Sequence, residues 1–221
     1  MPHLLRPLHA AVIAAALLSP FAASAGEVYA NLGLPGLGLG YAHALNNSVT
    51  LRGDFSTLGN HSKNRNEQGV DYLVTGKLNR FGLFADWFVL GGGFRLTGGI
   101  TSNDFKVDLL AQGNGQQMTV GSNTFTTAPD DRLNVKIRFP RTTPYLGIGY
   151  GHQLSQGVGF VFDLGASIGK ATVSETHSGT NLGDPNRVSQ ADIDAELAQL
   201  RNGVGKVKAL PQVSIGLAVR F

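Results

Sequence analysis

Cysteine is absent from this sequence of 221 residues. Disulfide bonds, thiolate metal sites and a lipid-modified cysteine are therefore excluded. Beyond the N-terminus, no segment holds the roughly 20 apolar residues that a transmembrane helix requires. Charged residues make up only 15% of the chain, and 18 basic side chains nearly balance 15 acidic ones. This balance gives no indication of nucleic-acid binding, so we expect no nucleic-acid partner.

Residues 1–25 have the pattern of a secretory signal peptide. Arg6 precedes the short apolar run 10–18, and small residues at 23–25 permit cleavage. A basic start, a short apolar core and a small-residue cleavage site are the features of such a peptide. The apolar run is too short for a membrane anchor. We therefore predict a signal peptide over 1–25 and one exported domain over 26–221.

Apolar residues alternate with small or polar residues through most of the remaining chain. Period-2 alternation predicts β-strands with one apolar face. The abundance of glycine, at 30 residues, suits tightly packed β-structure. The apolar faces comprise Leu37, Leu39 and Tyr41; Val49, Leu51 and Phe55; Phe81, Leu83, Ala85, Trp87 and Val89; Phe94, Leu96 and Ile100; Leu146, Ile148 and Tyr150; and Phe160, Phe162, Leu164 and Ile168.

The connections between these segments are of two kinds. Short turns are predicted at 46–47, 90–92 and 153–156, and long polar loops at 59–68, 113–130 and 176–205. Short turns on one rim and long loops on the other are typical of outer-membrane β-barrels. Several segments exceed the ~9–11 residues that cross a bilayer, so we expect the barrel to extend above the membrane.

The strand count follows from an even number of strands in such barrels. We predict an all-β fold, an eight-stranded antiparallel transmembrane β-barrel. The first strand is expected over Val28–Gly33, with a turn at Pro35-Gly36, because proline is poorly tolerated in a paired strand. The alternative is a split at Asn79-Arg80, where the alternation changes phase; a β-bulge would explain this change equally well.

One short helix is expected over 189–202, in the last extracellular loop. Ser189 and Asp192 match a capping box, and Gly203 supplies a stop signal. The apolar residues spaced along it are Ile193, Leu197 and Leu200. The helix could contact lipopolysaccharide or cover the barrel mouth, or its apolar side could simply pack on the extended barrel wall.

Six charged residues are expected to face the lumen, opposite the apolar positions. They are Arg52, Asp54, Asp86, Arg95, Asp163 and Arg220. The interior of an eight-stranded barrel is about filled by side chains, so these charges require partners. The favoured interpretation is an ion-pair network that ties the walls together. The alternative is an ion or proton path through rearranging pairs.

The chain ends on a strictly alternating strand. Its apolar face comprises Val213, Ile215, Leu217, Val219 and Phe221. With the motifs Asp86-Trp87, 91–95, 144–149 and 162–165, this terminus resembles a group of small outer-membrane β-barrel proteins of Gram-negative bacteria. The terminal pattern is similar to the signal that the outer-membrane assembly machinery recognises. The resemblance implies barrel assembly machinery, periplasmic chaperones, membrane lipid and lipopolysaccharide as partners. More distantly the architecture is similar to the OmpA, OmpX and OmpW barrels, and no defined activity is implied.

The sequence offers little support for catalysis. His61 neighbours Ser62 and His177 lies near Glu175, but neither forms a visible triad, which nucleophilic chemistry requires. No metal-binding spacing or cofactor motif is present. We therefore expect a non-enzymatic outer-membrane barrel without cofactor, in a structural or surface-interaction role. Alternatives are a narrow channel or carrier for small or apolar solutes, and a lipid A-modifying enzyme. The basic cluster of loop 59–68 could contact lipopolysaccharide phosphates.

Overall fold

The structure is a computed structural model that describes residues 26–67, 70–121, 123–152, 156–204 and 208–221. The predicted signal peptide lies outside these residues. Within these ranges, no helix is both long enough and apolar enough to cross a membrane.

The described chain forms twelve strands and one helix. They are β1 (Gly26–Leu34), β2 (Gly36–Ala44), β3 (Val49–Glu67), β4 (Val70–Trp87), β5 (Phe94–Gln112), β6 (Gln117–Val120), β7 (Asn123–Thr126), β8 (Arg132–Arg138), β9 (Thr142–Tyr150), β10 (Gly157–Ile168), β11 (Thr172–Ser178), α1 (Gln190–Val204) and β12 (Ala209–Arg220). Eight strands pair antiparallel in a closed ring, in the order β1-β2-β3-β4-β5-β9-β10-β12, and β12 returns to β1. The predicted all-β barrel with an eight-membered ring is confirmed.

The total number of strands is larger than the predicted eight. β8 and β9 would form one long strand, but the strand is interrupted at 139–141, where Pro140 cannot donate a ladder hydrogen bond. β10 and β11 are likewise two parts of one long strand, which is interrupted at 169–171. The β6–β7 hairpin forms a separate small sheet within the predicted loop 113–130.

The first turn lies where the sequence predicts it. β1 ends at Leu34, and β2 begins at Gly36, whose φ of 110° favours glycine. The alternative split at Asn79-Arg80 is wrong, because β4 pairs continuously through both residues. The irregularity lies on the neighbouring strand β3, where Leu58 is the extra residue of a β-bulge.

The outside of the ring carries a belt of exposed apolar side chains. Phe160 is 81% exposed and Leu39 69%. Residues opposite each other in an antiparallel pair share a face, and the pair Phe160–Leu217 shows how the belt continues around the ring. The turns near 46–47 and 90–92 and the pairing of Glu27 with Arg220 lie at one rim, which we call the turn-side rim.

At the opposite rim one side of the barrel is much taller than the other. β3, β4 and β5 are 18 or 19 residues long, whereas β1 and β2 have nine each. Above the ring, the upper parts of these three strands continue with β8 and β11 in a five-stranded sheet, which we call the tall wall. The predicted loop 59–68 is therefore mostly strand.

The helix α1 begins where its capping box predicts. The Ser189 hydroxyl donates to Asp192 Oδ2 at 2.6 Å, and the Asp192 amide donates to Ser189 Oγ at 3.2 Å. Ile193 and Leu197 are buried in a hydrophobic cluster with Val135 and Val173 of the tall wall. The interpretation that α1 packs on the extended wall is confirmed. The side chain of Leu200 lies outside the described part of the chain.

Candidate functional site: the lumen ion-pair network and the wall cavity

Four charged side chains from four strands meet inside the ring. We call Arg52, Asp86, Arg95 and Asp163 the lumen cluster. Arg52 Nε contacts Asp86 Oδ2, and Arg52 Nη2 lies 3.1 Å from Asp163 Oδ1. Arg95 contacts the same two acids, at 3.1 Å from Asp86 Oδ1 and 2.8 Å from Asp163 Oδ1. Because two guanidiniums share two carboxylates, the formal charges cancel inside the cluster.

The lumen cluster is almost completely removed from solvent. Asp86 and Arg95 are 0% exposed, and Arg52 is 4% exposed. Thr97 adds a neutral contact, since its hydroxyl donates to Asp86 Oδ1 at 2.7 Å and accepts from Arg95 Nη1 at 2.8 Å. Buried ions are tolerated only when paired and hydrogen-bonded. Every ion of the cluster has a partner of opposite charge, whereas Arg95 Nε has no hydrogen-bond partner in the described part of the chain.

A second ion pair lies farther from the turn-side rim. Arg80 Nη2 lies 2.6 Å from Asp54 Oδ1 and donates to Ser56 Oγ at 3.1 Å. The Tyr29 hydroxyl donates to the other oxygen of Asp54 at 3.3 Å and accepts from Arg52 Nη1 at 3.4 Å. Tyr29 therefore connects the second pair to the lumen cluster.

Neutral polar side chains continue the network toward the tall wall. Arg80 contacts the Gln212 amide oxygen, and Gln212 Nε2 donates to Ser167 Oγ at 2.7 Å. Ser167 and Thr101 share a hydrogen bond of 2.7 Å, and Thr101 and Thr143 share one of 2.9 Å. Since these side chains come from β5, β9, β10 and β12, they cross-link the walls above the ion pairs.

The turn-side end of the lumen is closed by Glu27 and His152. His152 Nδ1 contacts Glu27 Oε1, and His152 Nε2 lies 3.4 Å from Arg52 Nη1. Both residues are buried. The network therefore reaches from the turn-side rim to the base of the tall wall.

Aromatic rings and glycines determine how the large side chains fit. The Phe84 ring lies between two arginines, with Arg52 Cζ at 5.0 Å and Arg80 Cζ at 5.4 Å from its centroid, a cation–π arrangement. A Cβ at Gly149 would lie 2.6 Å from Arg95 Cζ and 2.6 Å from the Phe162 carbonyl oxygen. Glycine at 149 therefore leaves the room that the Arg95 guanidinium occupies.

The packed network leaves very little space in the lumen. The gap between Arg52, Arg80 and Gln212 has a volume of about 10 Å³. One buried water requires roughly 10–15 Å³, so the gap accommodates at most one water. Among the described side chains, this gap is too small to pass a solute larger than water.

Five of the six charges predicted to face the lumen lie in this network. They are Arg52, Asp54, Asp86, Arg95 and Asp163. Arg220 lies on the inward side of β12, opposite Glu27, but it is only half-buried at the rim and outside the lumen cluster.

Sequence reasoning missed Arg80, Glu27, Tyr29, His152 and Gln212. Arg80 has the same parity as Phe84 and Asp86 in β4, so continuing the alternation through 79–80 would have identified it.

A cavity of about 450 Å³ lies between the tall wall and α1, and we call it the wall cavity. Its floor includes Val74, Leu109 and Val135, and its roof includes Leu182, Ile193 and Leu197. Three polar residues line it as well: Arg65, Glu175 and His177. The Glu175 carboxylate and His177 Nδ1 are 2.8 Å apart, so they form a pair of their own.

The outer surface of the tall wall carries charges just beyond the apolar belt. A groove of about 430 Å³ is lined by Phe81, Lys106, Arg138 and Arg141. Asp104 receives hydrogen bonds from Lys106 and Lys77, which lower the pKa of its carboxyl to about 2. The carboxylate therefore holds both lysines near the belt at neutral pH.

The two histidines that the sequence analysis considered for catalysis lie in different places. His61 is exposed on β3, and His177 pairs with Glu175 in the wall cavity. Within the described ranges, no group of three or more His, Asp or Glu side chains could hold a metal ion.

Two solved structures have the same overall fold. One is CarO from Acinetobacter baumannii, with 21% sequence identity and a TM-score of 0.59. The other is CarO2 from the same organism, with 20% identity and a TM-score of 0.61. Each likeness covers 90% of this chain and 98% of the other chain. No protein-family model and no curated protein sequence matches. At this identity, the likeness shows the fold of the chain, a β-barrel of the kind seen in the two CarO structures.

Proposed function

We propose that this protein is an integral β-barrel of a Gram-negative outer membrane, with a closed lumen and a structural or surface-interaction role. The observation that carries the proposal is the inverted distribution of its side chains. Ion pairs fill the inside, and exposed apolar residues cover the outside. Soluble monomers rarely expose a continuous apolar surface of this extent, whereas lipid requires it.

Substitutions in the belt test the membrane location. Arginine near the bilayer midplane costs about 2–4 kcal/mol and near the interface about 0–1 kcal/mol. Leu39→Arg is therefore expected to reduce the amount of folded barrel in outer-membrane fractions. Leu73→Arg is the matched control, since Leu73 is exposed on the tall wall, outside the belt. Equal amounts of both variants in the membrane would contradict the proposed belt.

Conductance in planar bilayers tests the closed lumen. The proposal predicts no steady current and only rare, small openings. A stable open current would instead support the alternative, a narrow channel.

Lipid A mass spectra from cells with and without the protein are expected to be identical, and a modified lipid A would support an enzyme instead.

Contact with lipopolysaccharide is part of the same proposal. The groove with Lys106, Arg138 and Arg141 lies where the belt ends and charges begin. Lysine and arginine at a membrane surface attract anionic headgroups, at about 1 kcal/mol each. Because Lys106 already pairs with Asp104 and Arg138 with Asp108, we expect the net attraction of the groove to be smaller than that of three unpaired cations. The structure offers this groove in addition to the basic cluster of the predicted loop 59–68, for which the sequence left lipopolysaccharide contact and a merely soluble loop both open.

A carrier for apolar solutes is a second candidate. The specific observation that favours it is the wall cavity, which is mostly apolar and lies against the upper strands of the tall wall. Uptake of a radiolabelled apolar solute by vesicles that contain the protein tests this role. Uptake equal to that of protein-free vesicles would exclude it.

A further inference from the structure

We propose that the wall cavity is a binding site for a single-chain aliphatic carboxylate. The alkyl chain would lie between the tall wall and α1, and the carboxylate would lie beside Lys63 and Arg65 of β3. This inference concerns binding alone. It requires no opening of the lumen and stands whether or not the protein transports anything.

The size and lining of the wall cavity fit an alkyl chain. Its volume of about 450 Å³ lies within the roughly 300–1,000 Å³ of typical ligand pockets. Val74, Leu109 and Val135 form an apolar floor, with Ile193 and Leu197 above them. Such pockets combine an apolar lining with a few polar groups that fix the orientation of the ligand.

A row of basic side chains borders this floor. Arg65 lies opposite Tyr72 and Lys63 opposite Val74 in the β3–β4 ladder. Opposite residues share a face of the sheet, and Tyr72 and Val74 line the cavity. Lys63 and Arg65 are therefore on the cavity side of β3, and both are exposed.

The charges around the cavity favour an anionic head. Among the described side chains, Lys63 and Arg65 have no acidic partner within ion-pair distance. The acid across the cavity, Glu175, is already paired with His177 at 2.8 Å. A carboxylate at the β3 side would gain two cations. An ammonium head would be repelled by the same two cations, and it would have to compete with His177 for the carboxylate of Glu175.

Photo-crosslinking tests the inference on the full mature barrel in lipid nanodiscs. The probes are dodecanoate and dodecyltrimethylammonium, each with a diazirine near the end of the chain. Mass spectrometry identifies the labelled peptides. The proposal predicts saturable labelling of β8, β11 and α1 by the carboxylate probe, removed by excess dodecanoate. Labelling of belt peptides is expected to persist under the same competition and is an internal reference for lipid partitioning.

Two neighbouring apolar residues provide a matched pair of variants. Val74 lines the cavity, and Leu73 is exposed on the opposite face of β4. Val74→Phe is expected to weaken carboxylate binding about tenfold, which corresponds to 1.4 kcal/mol, while Leu73→Phe binds as the wild type does. Heat-dependent gel migration checks that each variant is folded. If Val74→Phe does not fold, Ile137→Phe narrows the same cavity from β8.

Charge substitutions separate the head from the chain. The double variant Lys63→Gln/Arg65→Gln is expected to weaken binding of the carboxylate probe about three- to tenfold, the combined effect of two exposed ion pairs. Binding of the ammonium probe should not weaken. Lys136→Gln removes a cation from β8 without affecting the cavity and is expected to behave as the wild type.

Three results would overturn the inference. In the first, both probes label only peptides of the belt. In the second, the wild type binds the carboxylate and ammonium probes equally well. In the third, Val74→Phe and Ile137→Phe both leave the labelling of α1 unchanged. None of them bears on the membrane location or the closed lumen, which conductance and the belt variants test separately.

Discussion

Replacement of Asp86 by alanine is expected to destabilise the barrel strongly. Asp86 is 0% exposed and contacts Arg52, Arg95 and Thr97. Its loss leaves two buried guanidiniums that share the single carboxylate of Asp163. Breaking a buried ion pair by removing one partner costs about 3–5 kcal/mol, because the remaining charge stays buried. We expect Asp86→Ala to lower the free energy of unfolding by about that amount.

Urea unfolding in lipid vesicles measures this loss. The protein has one tryptophan, Trp87, so its fluorescence reports on the barrel wall directly. Heat-dependent gel migration gives a second readout that does not depend on the environment of Trp87. Asp104→Ala is the control, since Asp104 pairs with Lys77 and Lys106 in a largely solvent-exposed position. Exposed pairs contribute about 0–1 kcal/mol, so this variant should unfold almost as the wild type does.

A double-mutant cycle isolates the pair itself. Asp86→Ala/Arg95→Ala removes an acid and a base together, so fewer unpaired charges remain than the two single variants imply. The combined loss of stability should therefore be smaller than the sum of the single losses. If Asp86→Ala unfolds at the same urea concentration as Asp104→Ala, the lumen cluster does not stabilise the barrel, and the reasoning fails.

Three other substitutions test separate parts of the structure. Gly149→Val is expected to lower the free energy of unfolding by about 1–3 kcal/mol through overpacking, because the new side chain would collide with Arg95. Gly98→Val is the control: a Cβ at Gly98 meets no neighbour, so this variant should unfold at the wild-type urea concentration. Ser189→Ala removes the capping box of α1 and should cost the helix about 1 kcal/mol, seen as faster hydrogen exchange in α1 with unchanged exchange in β1; equal exchange would contradict the cap. Phe221→Ala is expected to reduce the amount of folded barrel in the outer membrane. The barrel that does assemble should keep the wild-type urea midpoint. Unchanged assembly would exclude an assembly signal at Phe221.

The ring was predictable because its outward-facing and inward-facing residues differ strongly in polarity. The alternation of Phe162, Leu164 and Ile168 with Asp163 and Ser167 contains this contrast, and the structure shows it as exposure and burial. The same contrast places Asp86 and Arg95 on the inward side. Where the contrast exists, a period of two determines both the strand and its face.

The tall wall was not predictable in the same way, because its polar strands lack this contrast. His61 to Asn66 are exposed on both faces of β3, and their sequence cannot be distinguished from that of a loop. They form a strand because β4 supplies the complementary ladder from Val70 to Leu78. A pairing partner is a tertiary property, and no local pattern reveals it.

The error at Arg80 has a related cause. The sequence showed an irregularity near 79–80, and the structure places the bulge across the ladder at Leu58 of β3. A bulge changes the register between two paired strands, so either strand can carry the extra residue. With the alternation interrupted at 79–80, the sequence assigned no face to Arg80, and its pairing with Asp54 was missed.

The layered lumen also bears on where this protein can act. A solute that crossed the barrel would have to break the lumen cluster and, separately, the layer of Arg80 with Asp54 and Gln212. A buried charge that loses its partner is strongly destabilising, so we expect an open lumen to be a minor population. The wall cavity requires no such opening, because its apolar floor and its basic border are formed while the lumen is closed. We therefore expect the proposed recognition at the tall wall to require no opening of the lumen.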